Sequence, residues 1–212
     1  MIRRRFFAIA LAYLAFATLP ANIASADDRQ AAASELINQM IADLQAFLTT
    51  DTGDMESRSA EIDRVLSTYF DINTITRFSA GQYWRAANAD QKAEYGTLFR
   101  EVLCGTIVRN FDQLQGLAYT ADAATAKGDK FVIVSGTFTD TSGPRPAVKV
   151  NWRVLTREGT APKVFDIEIE NLSLLVTQKQ ENVAVIRKNK GEFFALINAM
   201  KDLLANPVHN DS

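Results

Sequence analysis

The sequence predicts an α+β protein in which a twisted, antiparallel, four-stranded sheet is wrapped by helices. Three observations predict this class. Residues 31–114 place apolar side chains at helical spacing, residues 118–176 alternate apolar and polar side chains between turn residues, and helical spacing returns from about 178 to 204. A curved sheet covered by helices forms a cone, and its interior is either filled by side chains or left as a cavity.

The first residues have the three parts of a secretory signal peptide. Arginines at the start are followed by an apolar run at 6–19 and by small residues that end at Ala26, so cleavage is expected there. The apolar run is shorter than the roughly 20 residues that span a bilayer, and a simple membrane anchor is the alternative. We therefore expect a signal peptide at 1–26 and a single domain at 27–212.

The charge of the chain excludes some classes of function. The chain carries 23 basic and 25 acidic residues, and the expected signal peptide removes only basic ones. The mature chain is therefore mildly acidic. An acidic exported protein has no bulk electrostatic reason to bind nucleic acid.

The residues that usually carry catalysis are scarce. Cys104 is the single cysteine and lies on an apolar helical stripe, so we interpret it as a buried hydrophobic residue and expect no disulfide. His209 is the single histidine and lies in a polar tail, which leaves no histidine for general base or nucleophile chemistry. We predict no catalytic residue and no metal site.

Helices are expected at 31–48, 54–70, 72–79, 88–114 and, with an interruption at 189–191, 178–204. Asp54 is a suitable N-cap for the second of them, and Asn88 with Gln91 forms a capping box for the fourth. The fourth helix contains Gly96 and Gly105, which cost helix stability. Close packing and room for a ligand are the two explanations for these glycines.

Strands are expected at 118–126, 130–139, 147–157 and 163–176. The dry face of the fourth strand is expected to carry Phe165, Ile167 and Ile169, and its solvent face Asp166, Glu168 and Glu170. Antiparallel pairing of the third and fourth strands places Arg153 opposite Asp166 or Glu168.

A set of motifs appears in one order along residues 35–205. It consists of Phe70-Asp71, Ile75-Thr76-Arg77, Gly81, Trp84-Arg85, Gln91, Tyr95, Phe99, Phe165-Asp166-Ile167, Leu172-Ser173-Leu174, Val185-Ile186, Asn189, Gly191 and Leu196-Ile197. In this order and after a signal peptide, the set resembles the MlaC family, also called the toluene-tolerance family. Two positions depart from the family pattern: Asn182 stands where an aromatic residue is usual, and Lys190 stands where a glycine is common.

The resemblance implies a fold related in shape to the NTF2-like cone, with an apolar cavity. It also implies a soluble periplasmic lipid carrier that buries the acyl chains of a phospholipid. Such a carrier shuttles its cargo between membrane complexes as an auxiliary component of an ABC transporter, in the service of outer membrane lipid asymmetry. The implied partners are an outer-membrane lipoprotein–porin complex and the MCE-domain component of an inner-membrane ABC transporter. Phospholipid is the cargo, and neither an enzymatic activity nor a cofactor is implied.

The residues expected to line the lipid site are apolar and lie on the helical stripes and on the dry face of the sheet. They are Phe78, Trp84, Phe99, Leu103, Val134, Val150, Trp152, Phe165, Ile167 and Ile186. Three alternatives stay open. One is an NTF2-like enzyme that acts on an apolar substrate through Asp71 or Tyr83, and another is an interaction module whose cone is filled. The third is a carrier of hopanoid-type lipid, since the run at 174–178 resembles a branch of the family encoded with hopanoid biosynthesis.

Overall fold

The computed structural model describes residues 25–143 and 145–207, so most of the expected signal peptide and His209 lie outside the described residues. The helices in this part of the chain are α1 (Ala26–Thr50), α2 (Met55–Tyr69), α3 (Ile72–Ser79), α4 (Ala89–Arg109), α5 (Leu174–Lys188) and α6 (Phe194–Ala205). The strands are β1 (Leu117–Lys127), β2 (Phe131–Asp140), β3 (Val148–Leu155), β4 (Lys163–Ile169) and β5 (Leu172–Ser173). Short 3-10 turns cover Gly81–Arg85 and Phe111–Leu114.

Side-chain caps determine where the helices begin. Asp54 accepts a hydrogen bond from the backbone N–H of Ser57 at the start of α2, and Asn88 forms the predicted capping box at the start of α4. α1 begins at Ala26, five residues earlier than predicted, because Ser25 caps a polar first turn that carries no apolar stripe. The expected cleavage point therefore lies at the first residue of α1.

Further element boundaries differ from the prediction, and one of them is the start of α5, which lies at Leu174 and not at 178. α4 ends at Arg109 rather than near Leu114, and the chain then tightens into the 3-10 turn. The expected fourth strand at 163–176 is also wrong beyond Ile169. Glu170 and Asn171 have φ values of 48° and 66°, a pair of left-handed residues that forms a two-residue hairpin turn.

The sheet has five strands rather than the predicted four. The turn after β4 returns the chain to form β5, whose two residues pair with Glu168 and Ile169. The strand order is β1-β2-β3-β4-β5, and neighbouring strands are antiparallel throughout. The α+β class and the antiparallel sheet are as predicted, and the additional strand is too short to leave a period-two signal in the sequence.

A bulge in β4 changes the face on which one aromatic residue lies. Arg153 pairs with Asp166 as predicted, but the next pair is Val154 with Val164, so Phe165 is an extra residue. Val164 takes the buried position, and the Phe165 ring packs on Phe131 with 5.8 Å between centroids. Phe131 neighbours the buried Val132 in β2, so Phe165 lies on the opposite face of the sheet from Ile167.

Asp166 is buried rather than exposed to solvent as the strand alternation predicts. Its carboxylate accepts hydrogen bonds from the Ser173 hydroxyl (2.7 Å) and the Leu175 backbone N–H (3.1 Å). Arg153 forms ion pairs with Asp166 (3.3 Å) and Glu168 (3.1 Å). The first turn of α5 therefore covers part of the face that was expected to be wet.

Three apolar clusters hold the described residues together. The first lies between α1, α2 and one face of the sheet and contains Val132, Val134 and Trp152. The second joins α4, α5 and α6, and in it the Tyr95 hydroxyl bonds to the Ser79 hydroxyl (2.7 Å) and accepts a hydrogen bond from Asn182 (2.9 Å). The third packs α2 on α4 and includes Cys104, which is buried as predicted.

Candidate functional site

An apolar groove lies between the C-terminal half of α1 and the sheet. Its volume is about 230 Å³. Among its lining residues, Gln45 alone has a polar side chain. The lining residues are Ile41, Leu44, Gln45, Leu48, Leu114, Leu117, Phe138, Val148, Val150, Trp152, Ile167 and Ile169.

The spacing of apolar residues in the sequence explains why both walls of this groove are apolar. In β3, Val148, Val150 and Trp152 alternate with polar residues, so they lie on the same face of the sheet. In α1, Ile41, Leu44 and Leu48 lie three and four residues apart and therefore share one helical face. The apolar stripe of the helix thus faces the apolar face of the sheet across the groove.

Trp152 forms the aromatic floor of the groove. The side chain is 6 % exposed, and the rings of Tyr119 and Phe138 each lie 6.4 Å from its ring, centroid to centroid. The Trp152 Nε1–H and the Tyr119 hydroxyl have no hydrogen-bond partner among the described residues. Both atoms are buried, and Tyr119 is not among the lining residues, so the surface that faces the groove is apolar.

An arginine ties together the chain segments beside one rim of the groove. Arg145 pairs with Asp140 (2.6 Å) and donates to the backbone carbonyls of Gln113 (2.8 Å) and Gln115 (2.7 Å). Two contacts hold the pKa of the Asp140 carboxyl well below its ordinary value. The hydrogen bond from the Arg145 guanidinium has the larger effect, and the Ser142 backbone N–H has the next largest. This arginine fixes the corner from which Leu114 and the start of β1 face the groove.

The structure places the ten residues expected to line a lipid site in different parts of the molecule. Val150, Trp152 and Ile167 line the groove, and Val134 lies in the same cluster without reaching it. The other six residues lie elsewhere. The cluster of α4, α5 and α6 contains Trp84, Phe99, Leu103 and Ile186. Phe165 lies on the opposite face of the sheet, and Phe78 is 42 % exposed on α3.

Sequence reasoning missed the α1 side of the groove. The apolar stripe of α1 is visible in the sequence, but periodicity does not tell which helix covers which sheet face. Leu114 and Leu117 were missed for another reason. They flank the corner between the 3-10 turn and β1, where neither a helical nor a strand period applies.

The groove is small in the conformation described here. Pockets that enclose small molecules usually measure about 300–1,000 Å³, more than the 230 Å³ observed. Most of the sheet cluster is closed by its own side chains, with Val132 and Val154 completely buried. A ligand with two long chains therefore requires α1 and the sheet to separate further.

Two further findings concern residues 25–143 and 145–207. Within these ranges, no helix combines the length and the apolar character needed to cross a bilayer. Nor do three or more His, Cys, Asp or Glu side chains come together there in a group that can hold a metal ion.

Comparisons with known proteins show what this chain is similar to. A solved structure from Ralstonia solanacearum, described as a phospholipid-binding protein in complex with a phospholipid, superposes with a TM-score of 0.72 at 21% sequence identity. The alignment covers 82% of this chain and 97% of that one, which shows a shared fold. Curated protein sequences give no match. The pattern that defines the family described as MlaC protein matches residues 34–202, and the chain therefore belongs to the MlaC family.

Proposed function

We propose that this protein is a periplasmic phospholipid carrier whose groove, between α1 and β3, receives the acyl chains. The observation that supports this most strongly is the apolar lining of the groove on both walls. Membership of the MlaC family and the shared fold with a protein described as phospholipid-binding support the choice of ligand.

The physical need for such a groove follows from the hydrophobic effect. Two acyl chains of about 15 methylenes each, at about 0.8 kcal/mol per methylene, cost more than 20 kcal/mol to expose to water. A protein that buries both chains while leaving the headgroup in water removes most of this barrier. Because no covalent bond changes, the proposal needs no general acid or base.

Loading requires the groove to widen. Val150, Trp152 and Ile167 form a rigid wall because they belong to the central strands, so the proposed moving part is the C-terminal half of α1. The buried residues of α1 are Ala33, Ile37, Met40 and Ile41, so the last part of this half, residues 42–50, contains none of them. Val134 lies in the same cluster and would contact lipid only after a larger separation of α1 from the sheet, whereas Phe165, on the opposite sheet face, would not.

The cellular role that we propose is transfer of lipid between two membrane complexes. We expect the chain to be exported, the segment 1–26 to be cleaved, and the domain 27–212 to act alone in the periplasm. Its proposed partners are an outer-membrane lipoprotein–porin complex and the MCE-domain component of an inner-membrane ABC transporter. Family membership supports this role.

No observation favours the alternative of an NTF2-like enzyme. Asp71 caps α3, and its carboxylate accepts hydrogen bonds from the Thr74 backbone N–H (2.9 Å) and the Thr74 hydroxyl (2.7 Å). Tyr83 packs against the cluster of α4, α5 and α6. Neither side chain lines the apolar groove.

Native mass spectrometry with lipid extraction tests the proposal. Purified wild-type protein should carry the mass of one phospholipid that extracts into chloroform. Val150→Trp fills the groove from its floor, and Ile169→Trp fills it at a partly exposed position where a large side chain is tolerated. Both should lose the lipid, whereas Lys149→Trp, on the opposite face of the same strand, should keep it.

The circular dichroism spectrum is recorded for each variant. If Ile169→Trp and Val150→Trp fold normally and retain lipid as wild type does, the acyl chains lie outside this groove. A wild-type protein that carries no lipid and takes none from phosphatidylcholine vesicles would contradict the carrier function itself.

A further inference from the structure

A second, polar cleft lies near the end of the sheet opposite the groove. Its volume is about 980 Å³, and it is formed by α3, α4 and the start of β4. Lys163, at its edge, pairs with Leu155, whereas Ile169, in the groove, pairs with Val150. Ile169 lies six positions after Lys163 along β4, which is about 20 Å of extended strand. The cleft and the groove are therefore distinct sites.

Cationic side chains converge on this cleft. Arg77 comes from α3, Lys92 and Arg100 from α4, Arg157 from the turn after β3, and Lys163 from β4. Asp71 is the one acidic residue of the lining, and both of its carboxylate oxygens accept hydrogen bonds from Thr74. The whole chain has a net charge of −2, so this is a local concentration of positive charge.

Two of the cations are held in place by the protein. Arg100 bonds to the Asp63 carboxylate (2.7 Å), and Lys163 donates to the backbone carbonyl of Thr68 at the C-terminal end of α2. A lysine at this position also interacts favourably with the helix dipole. These contacts anchor α4 and β4 to α2 and so fix the walls of the cleft.

The other three cations have no carboxylate partner among the described residues. Arg77, Lys92 and Arg157 take part in none of the ion pairs of that part of the chain. The Lys92 ammonium lies 5.7 Å from the centroid of the Trp84 ring, which also lines the cleft. Three elements thus present unpaired positive charge to one cavity.

A glycine contributes to the open space. Gly96 of α4 lines the cleft, and a Cβ built on it would meet only the Thr76 methyl group, at 3.9 Å. Close packing therefore does not require glycine here, and the larger side chains that suit a helix would project toward the cavity. Of the two explanations for this residue, the structure favours room for a ligand.

We propose that this cleft binds a phosphate group, either free or in the headgroup of an anionic phospholipid. Arginine and lysine donors arranged around a cavity match the tetrahedral set of phosphate oxygens. The concave shape favours a compact anion over the flat acidic face of a folded protein. The site goes beyond the proposed function, because it lies apart from the groove that would receive acyl chains.

The two tryptophans of the chain make the test selective. Trp84 lies in the cleft and Trp152 in the groove. Their indole N–H signals in the ¹H–¹⁵N spectrum of the wild-type protein, assigned with Trp84→Phe, report on the two sites separately. Glycerol 3-phosphate should shift the Trp84 signal in a saturable way and leave the Trp152 signal in place.

A matched pair of double variants identifies the charges that bind. Arg77→Gln with Arg157→Gln removes two exposed cations from the cleft, and Arg187→Gln with Lys188→Gln removes two exposed cations from the end of α5. The double variant in the cleft should weaken binding of glycerol 3-phosphate about tenfold or more, because hydrogen bonds to charged groups are stronger than those between neutral groups. The double variant at the end of α5 should change this binding less than twofold.

Vesicles distinguish the two sources of phosphate. If phosphatidylcholine vesicles with added phosphatidylglycerol perturb Trp84 and glycerol 3-phosphate does not, the ligand is a headgroup at a membrane surface. Perturbation by glycerol 3-phosphate supports a free phosphate ester. The proposal is overturned if neither probe shifts Trp84, if both double variants weaken binding equally, or if a polyglutamate peptide binds as tightly as the phosphate probes.

Discussion

The ring of Tyr119 on β1 covers Gly136 on β2, so that a Cβ on Gly136 would overlap the tyrosine ring and hydroxyl. An aromatic ring over a strand glycine replaces the packing that the glycine cannot supply. The same ring lies 5.1 Å from Phe138 and 6.4 Å from Trp152, centroid to centroid. The absence of a side chain at Gly136 therefore allows the Tyr119 ring to pack beside Phe138 and Trp152.

Gly136→Ala should lower the free energy of unfolding by about 1–3 kcal/mol, the usual cost of overpacking. Urea unfolding followed by circular dichroism measures it. Gly96→Ala is the matched control. It should raise the free energy of unfolding by up to about 1 kcal/mol, because alanine favours a helix and the site has room. A Gly136→Ala variant as stable as wild type would show that Tyr119 moves aside freely.

Arg58→Ala should lower the melting temperature by several degrees. The Arg58 side chain is 8 % exposed and pairs with Asp51 (2.6 Å) and Asp112 (2.7 Å), and Asp51 is only 2 % exposed. Removing the arginine leaves a buried carboxylate without its partner.

Arg64→Ala serves as the control for Arg58→Ala in thermal unfolding followed by circular dichroism. The Arg64 side chain is 45 % exposed, and exposed ion pairs contribute about 0–1 kcal/mol. A loss at Arg64 as large as that at Arg58 would contradict the assignment of Arg58 as the more important of the two.

The pair of Asp140 and Arg145 predicts a pH dependence of stability. Because the pKa of Asp140 in the folded protein is held below its ordinary value of 3.8, the pair stabilises the fold above that pH. The stabilisation is lost as the pH falls through the lowered pKa. Asp140→Asn should therefore melt below wild type at pH 7, and the difference should shrink in increasingly acidic buffer below about pH 4.

Asp202→Asn is a suitable control for the pH series, since Asp202 is exposed on α6 and forms no ion pair among the described residues. Its melting temperature should follow that of wild type at each pH. A constant difference between Asp140→Asn and wild type down to the most acidic buffer would show that charge on Asp140 is not the stabilising factor.

Lys190→Gly should stabilise the protein by about 1 kcal/mol. Lys190 has a φ of 60°, in the left-handed region that suits glycine, and here the chain departs from the family pattern. The matched control is Lys188→Gly, which places glycine in the last turn of α5 and should destabilise the protein. Both are measured by urea unfolding, and a destabilising Lys190→Gly would mean that the lysine side chain makes a contribution larger than the strain.

Hydrogen exchange should identify the moving part of the groove. Amides at 42–50 of α1 should exchange faster than those at 33–41, because the buried residues of this helix end at Ile41. Phosphatidylcholine should slow exchange at 42–50 and leave the rate at 194–205 of α6 unchanged. Uniform slowing of both segments would indicate a general stabilisation instead of binding in the groove.

Local signals in the sequence predicted the local features of the fold. Capping side chains located the starts of α2 and α4, and the alternation in β3 located one wall of the groove. These features depend on residues within a few positions of each other. The bulge at Phe165 left no such signal, because an inserted residue does not alter the composition of a strand.

Long-range contacts account for the rest of the differences. Asn182, in place of the aromatic residue usual in the family, is buried and donates to the hydroxyl of Tyr95, 87 residues earlier in the chain. Burial raises the pKa of that hydroxyl, which therefore stays protonated. The sequence does not reveal this contact, because Tyr95 lies far outside the local period of α5. The same limit kept α1 from being assigned to the groove.

The sheet cluster, which is filled by its own valine side chains, has a consequence for the proposed carrier function. Because Val132 and Val154 are completely buried, the proposed carrier exposes little of its apolar sheet face to water while the groove is narrow. Under the proposed function, widening of the groove is the step that brings this face into contact with water.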